Sequence, residues 1–133
     1  MVELNKDIWQ LKNTGNVNQL LRIKKETNLK KFPNLVILKH NFHIADDIMF
    51  PDPSCLAFFT ALEKNHIEKL ENEDLLELCA VDIKEGLMQF FIYCNDYEKA
   101  IEKLILFLKT NSLYSCDFEV LIEDKGSRLN SLI

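Results

Sequence analysis

Glycine and proline are scarce in this 133-residue sequence, at three of each. So few permissive or rigid positions exclude a collagenous or low-complexity chain and leave little room for long structureless stretches. Long apolar runs are also missing. None approaches the ~20 residues a membrane-spanning helix needs; the longest, such as Phe90 to Cys94, have strand length. The opening MVELNKDIWQ has neither the positive start nor the apolar stretch of a secretory signal. The expectation is a soluble, cytoplasmic protein with no membrane contact. Four cysteines, Cys55, Cys79, Cys94 and Cys116, occur without C-x-x-C spacing. Each lies in an apolar pattern, where a reduced cysteine acts as a small hydrophobe, so buried free thiols are expected rather than disulfides.

Positive charge is in deficit, with 16 Lys and Arg against 21 Asp and Glu and a formal charge of −5. Affinity for nucleic acid comes mostly from basic side chains neutralising phosphates. The one basic cluster, Arg22, Lys24, Lys25, Lys30 and Lys31, reads as a solvated strand and turn. Nucleic acid is therefore a disfavoured partner, and a basic protein suits the acidic balance better. The 47% hydrophobic and 28% charged fractions are those of an ordinary globular domain.

Local patterns place the elements. Asp7–Asn13 and Asn18–Thr27 read as strands joined through Thr14-Gly15-Asn16, a hairpin turn. Phe32-Pro33-Asn34 breaks the chain before a strand from Leu35 to about Phe42, followed by a loop from His43 to Asp52. A helix starts at Pro53 or Ser54, since proline fits the first turn. Its apolar face holds Cys55, Leu56, Phe58, Phe59, Leu62, His66, Ile67 and Leu70. Leu75–Ile83 and Leu87–Cys94 form a second hairpin, turning at Lys84-Glu85-Gly86. Asn95 or Asp96 caps a helix to about Lys109 with Tyr97, Ala100, Ile101, Leu104, Ile105 and Leu108 as its stripe. Asp117–Ile122 is a final strand, with Phe118, Val120 and Ile122 on one face, and the tail to Ile133 is read as a short docking helix.

The order from Leu35 onward predicts an α+β fold, a ferredoxin-like βαββαβ sandwich with two helices on one face of an antiparallel sheet. The single domain divides into an N-terminal β-hairpin (1–31), a ferredoxin-like core (32–123) and a tail (124–133). The hairpin extends the sheet or covers its open face; a meander of the three early strands is the alternative topology.

No glycine-rich phosphate loop, nucleophile elbow or H-E-x-x-H motif occurs. Accordingly no catalytic residue, cofactor or metal is assigned. His40 and His43, with Asp46 and Asp47 nearby, lack a third ligand at fixed spacing, and His66 reads as a satisfied helix histidine. The candidate interaction surface is the sheet face carrying Leu35, Ile37, Lys39, Gln89, Phe91 and Tyr93. The aromatics and basic residue of a base-stacking platform are not in register here, so packing under the N-terminal hairpin or against a partner explains Phe91 and Tyr93 better.

Several residues together resemble a known family. These are Asp7-Ile8-Trp9, Phe32-Pro33-x-Leu35, Pro53 before the long helix, and Phe91-Ile92-Tyr93 before the second helix. In this the chain resembles the uncharacterised bacterial domain-of-unknown-function family six-nine-five over nearly its whole length. Members often carry an acidic residue followed by an aromatic near the C-terminus; here Asp124 stands in the acidic position and Leu129 in the aromatic one. The family is similar in outline to the regulator of ribonuclease activity B, which is ferredoxin-like and inhibits an RNA-degrading enzyme by binding it. The net charge, the absent catalytic motifs and the apolar residues on both sheet faces point to a non-enzymatic, protein-binding or regulatory domain, with which the resemblance agrees by analogy. A small-molecule binding domain or unrecognised enzyme is the alternative, RNA binding ranks below both, and a homodimer is compatible with all three.

Overall fold

A computed structural model describes residues 8–44 and 50–132. The elements are β1 (Trp9–Lys12), β2 (Gln19–Lys24), β3 (Asn34–Asn41), α1 (Pro53–Ala61), a π-helical segment (Leu62–Ile67), α2 (Glu68–Asn72), β4 (Leu76–Lys84), β5 (Leu87–Cys94), α3 (Tyr97–Leu108), β6 (Asp117–Leu121) and α4 (Ser127–Asn130). The expected loop acids Asp46 and Asp47 lie outside the described residues.

Local chemistry sets the boundaries. Asp52 accepts a hydrogen bond from Cys55 N (2.9 Å) and Pro53 occupies the first turn of α1, while Asp96 caps α3 through Lys99 N (3.1 Å). Between β4 and β5, Glu85 and Gly86 both have positive φ (51° and 81°), as a two-residue type I′ hairpin requires.

All six strands form one antiparallel sheet in the order β1-β2-β4-β5-β3-β6. The fold is α+β. β2 pairs with β4, and β3 lies between β5 and β6, so the early strands do not form a meander. The N-terminal hairpin lengthens the sheet beyond β4 and leaves the open face to other segments.

Both sheet faces are apolar at the centre. On one, Val36, Leu38, Leu78, Val81, Phe90 and Ile92 pack under Phe59, Leu62, Ile67 and Leu70 of the long helix and Ala100 and Leu104 of α3. On the other, Leu21, Ile23, Leu35, Ile37, Ala80, Phe91 and Tyr93 form a second cluster. Its cover comes from Leu29 and Phe32 in the β2–β3 connection and from Leu129 and Leu132 at α4.

Three apolar positions leave the helix and strand faces assigned to them: Leu56, Ile105 and Ile122 are exposed. In α3 it is Phe107 that packs inward, 5.2 Å from the Phe58 ring and 5.5 Å from His66. In the long helix, i→i+5 bonding over Leu62–Ile67 displaces later positions from a 3.6-residue wheel and brings Glu63 inside.

The chain reverses after β6 through Glu123, Lys125 and Gly126, all with positive φ (58°, 51° and 89°). Two hydrogen bonds hold this reversal, Lys125 N to Pro33 O (2.9 Å) and Glu123 N to Asn34 Oδ1 (2.8 Å). A Cβ on Gly126 would lie 2.5 Å from Leu29 Cδ1, whereas one on Gly15 (φ 79°) meets nothing within 4 Å. Left-handed backbone costs an L-residue about 1–2 kcal/mol, and at Gly126 Leu29 must also move. Gly126→Ala is therefore expected to destabilise more than Gly15→Ala in urea titrations. Equal midpoints would show that Leu29 yields without loss.

Candidate functional site

The sheet-face residues selected from sequence separate into two groups. Leu35, Ile37, Phe91 and Tyr93 are buried beneath Phe32 and Leu129, and neither aromatic ring faces solvent. Lys39 and Gln89 are register partners at the half-exposed end of the same face. Lys39 pairs with Glu119 (2.6 Å), and its hydrogen bond holds that carboxyl below the usual carboxylate range. Gln89 neighbours Asp82, which accepts a hydrogen bond from Gln19 (2.8 Å).

Tyr93 carries a polar hydroxyl into the apolar cluster. It donates to Asp124 (2.5 Å) and accepts from Leu129 N (3.4 Å). Asp124 also accepts from Arg128 N (3.1 Å). Burial, then the Asp124 carboxylate, pushes the phenol ionisation upward. Tyr93 and Asp124 thus pin α4 onto the sheet.

The histidines serve separate places. His40 is buried, with Nδ1 2.8 Å from Ser115 O and its ring 4.8 Å from Phe59. His66 places Nε2 2.7 Å from Lys103 O, and His43 is exposed. Among the described residues no three His, Cys, Asp or Glu side chains gather as a metal ligand set. All four cysteines are free; Cys55, Cys79 and Cys94 are buried and Cys116 partly so.

A polar concavity was not singled out from sequence. It is a cleft of ≈210 Å³ between the hairpin and the long helix, lined by Trp9, Lys24, Glu63, Glu68, Glu71 and Asn72 among others. Alternation along β2 points Arg22 and Lys24 toward the helices, opposite Leu21 and Ile23. Arg22 forms a two-pronged pair with Glu63 (2.6 and 3.1 Å), while Lys24 binds Glu71 (2.8 Å) and approaches Glu77 (3.7 Å). The Trp9 ring lies 4.7 Å from the Arg22 guanidinium and 5.5 Å from the Lys24 ammonium. Lys64 reaches Glu68 (3.2 Å) and Glu63 (4.0 Å). Among the described residues, Glu63, Glu68, Glu71 and the nearby Glu77 pair with Arg22, Lys24 and Lys64. Residue spacing carried no signal for the burial of Glu63, because a π turn follows from tertiary packing.

Comparison with known proteins adds one match. The family described as Family of unknown function (DUF695) matches residues 16–128. The chain belongs to that family. No curated protein and no solved structure matches it. The DUF695 match begins after β1, so Trp9 and the sheet's edge strand lie outside it while the partners of Trp9 on β2 lie within.

Removing one member of a buried ion pair leaves an uncompensated charge, at a cost of about 3–5 kcal/mol when burial is complete. The Glu63 side chain is 8% exposed but Arg22 keeps 27%, so Glu63→Gln is expected to cost less, about 2 kcal/mol. The Arg22→Met, Glu63→Met double variant should recover part of that loss in a denaturation cycle. For the thiols, burial pushes Cys55 up to about 11 and Cys94 and Cys116 to about 12. A thiol raised in the folded state stabilises below its unfolded pKa, about 8.5, and that contribution fades as pH climbs toward the folded values. Stability should therefore fall above about pH 9, and at pH 8 a thiol reagent should label the folded chain slowly and the unfolded chain at four sites.

Proposed function

We propose that this DUF695 chain is a non-enzymatic protein-binding domain with a regulatory role, acting in the bacterial cytoplasm on a partner of basic character. The observation that carries this reading is an uncovered apolar patch on the helix side of the N-terminal hairpin. Leu11 (65% exposed) and Leu20 (40%) stand on that side of the hairpin, and Leu56 (38%) of α1 lines a shallow pocket with Ile83. Leu11 and Leu20 are diagonal neighbours on β1 and β2, and Leu20 sits opposite Ile83. Contiguous exposed apolar surface on a soluble domain marks an interaction site. The formal charge of −5 favours a basic partner through long-range attraction.

Two finer readings go with it. The order β4-β5-β3-β6, antiparallel throughout and with helices between β3 and β4 and between β5 and β6, supports a ferredoxin-like core with the hairpin added at one edge. That core is the shape implied by similarity to the regulator of ribonuclease activity B, a protein that works by binding an enzyme. Four free thiols support a reducing compartment.

The test is site-specific photocrosslinking in the native host, with the reactive group at Leu20 in one strain and at Gln89 on the opposite face in another. One defined protein crosslinked at Leu20 alone, and unaffected by ribonuclease, is the expected result. Its purified form should bind the Leu20→Asp variant at least tenfold more weakly. Crosslinks abolished by ribonuclease would replace the proposal with nucleic-acid binding, and equal crosslinking from both faces would remove the assigned patch.

A further inference from the structure

The sheet's two edges differ in what they offer an incoming strand. β6 carries Asp117 and Glu119, with Glu119 tied to Lys39 and within 3.9 Å of Arg128. Charged side chains on an edge discourage pairing with another chain. β1 reads Trp9-Gln10-Leu11-Lys12 and is the outermost strand among the described residues. Lys25 N donates to Ile8 O (2.8 Å), which fixes Ile8, Gln10 and Lys12 as the positions whose backbone groups face β2. By alternation the N–H and C=O of Trp9 and Leu11 point outward. Their side chains lie on the helix side of the sheet, Leu11 beside the apolar patch and Trp9 at the polar cleft.

We infer that β1 is the docking edge for an extended segment of the basic partner, taken up by strand addition with an apolar and a basic side chain two residues apart on one face. This rests on the protein-binding reading above and names the form of its ligand. Backbone bonds to Trp9 and Leu11 supply the pairing, as in other β-augmentation sites. Residues i and i+2 of the added strand share a face, so one side chain comes beside Leu11, at the margin of the apolar patch, while the other comes beside Trp9. At the Trp9 end the cleft lining carries Glu63, Glu68 and Glu71 against Lys24 among the described residues. A lysine or arginine from the partner adds a cation to this acidic lining, next to an aromatic ring that favours cations.

The probe is a blocked, fluorescently labelled peptide, Thr-Val-Thr-Arg-Thr-Val-Thr, which presents the same face in either strand direction. Anisotropy should show saturable binding to the full chain. Binding should fall at least tenfold when glutamate replaces the arginine, with the gap narrowing as salt rises. It should fall as far when alternate peptide nitrogens are methylated. Leu11→Pro removes one outward N–H without breaking the β1–β2 ladder, because proline is tolerated on an edge. That variant should keep its circular dichroism spectrum and lose at least tenfold in affinity, as should Leu11→Asp in case proline perturbs β1. Binding that survives N-methylation would overturn strand addition, and so would failure of the parent peptide to bind at about millimolar concentration. Dimerisation abolished by Leu11→Pro would assign the edge to a second copy and overturn the basic partner. In each case a crosslink at Leu20 still stands or falls separately, so the docking patch and the strand-addition mode are tested apart.

Discussion

A strand that is apolar on both faces must be covered twice, and β3 and β5 are such strands. From Leu35 to Leu38 and from Phe90 to Cys94 every side chain is buried. Burying each large apolar side chain contributes about 1.5–3 kcal/mol, so neither face can be left to water. The helices take one face. The other goes to a connection and a four-residue helix, elements too short to hold themselves in place. Tyr93 resolves this, because a hydroxyl carried into an apolar layer needs a partner there. Asp124 provides it, and in doing so sets where the last turn of chain lies. Packing and polar satisfaction thus act on the same tail segment.

The hairpin is attached by a different kind of force. Its helix-facing side presents Arg22 and Lys24, and the helix answers with Glu63 and Glu71. Half-buried ion pairs contribute modest net stability because desolvation offsets attraction. They fix direction well, since a guanidinium and a carboxylate meet in one plane. The hairpin is therefore oriented against the long helix near Trp9 and left bare near Leu11. One strand pair holds a satisfied polar end and an unsatisfied apolar end only a few residues apart.

Much of this was readable in the residues. Asp52-Pro53 and Asp96 announced their helices, Glu85-Gly86 its hairpin, and the run after Pro33 a strand buried on both sides. The placement of the hairpin was not readable, because pairing of β2 with β4 depends on which sheet edge is free once β3 has inserted between β5 and β6. The face carrying Phe91 and Tyr93 was read as an interaction surface, whereas these two rings are buried under Leu29, Phe32, Leu129 and Leu132, isolated residues in segments with no period of their own. Glu63 stayed hidden for a related reason. A helical wheel assumes constant pitch, and a π segment breaks that assumption without any signature in composition. The cleft joins residues from β1, β2, the long helix and β4, which spacing along the chain cannot bring together.

The strap over the second face has a consequence for how the molecule comes into being. Synthesis proceeds from the N-terminus at about 5–20 residues per second, so β3 emerges early with its hydrophobic surface open. Its neighbour β5 follows some fifty residues later, β6 later still, and Leu129 and Leu132 after that. A nascent chain halted at β6 has its helices and every strand, yet exposes Tyr93 and its apolar surroundings on one side. Closure of the fold therefore awaits translation of the tail, and a ribosome stalled or terminated before codon 124 would release a sheet that is complete in topology and adhesive on one face.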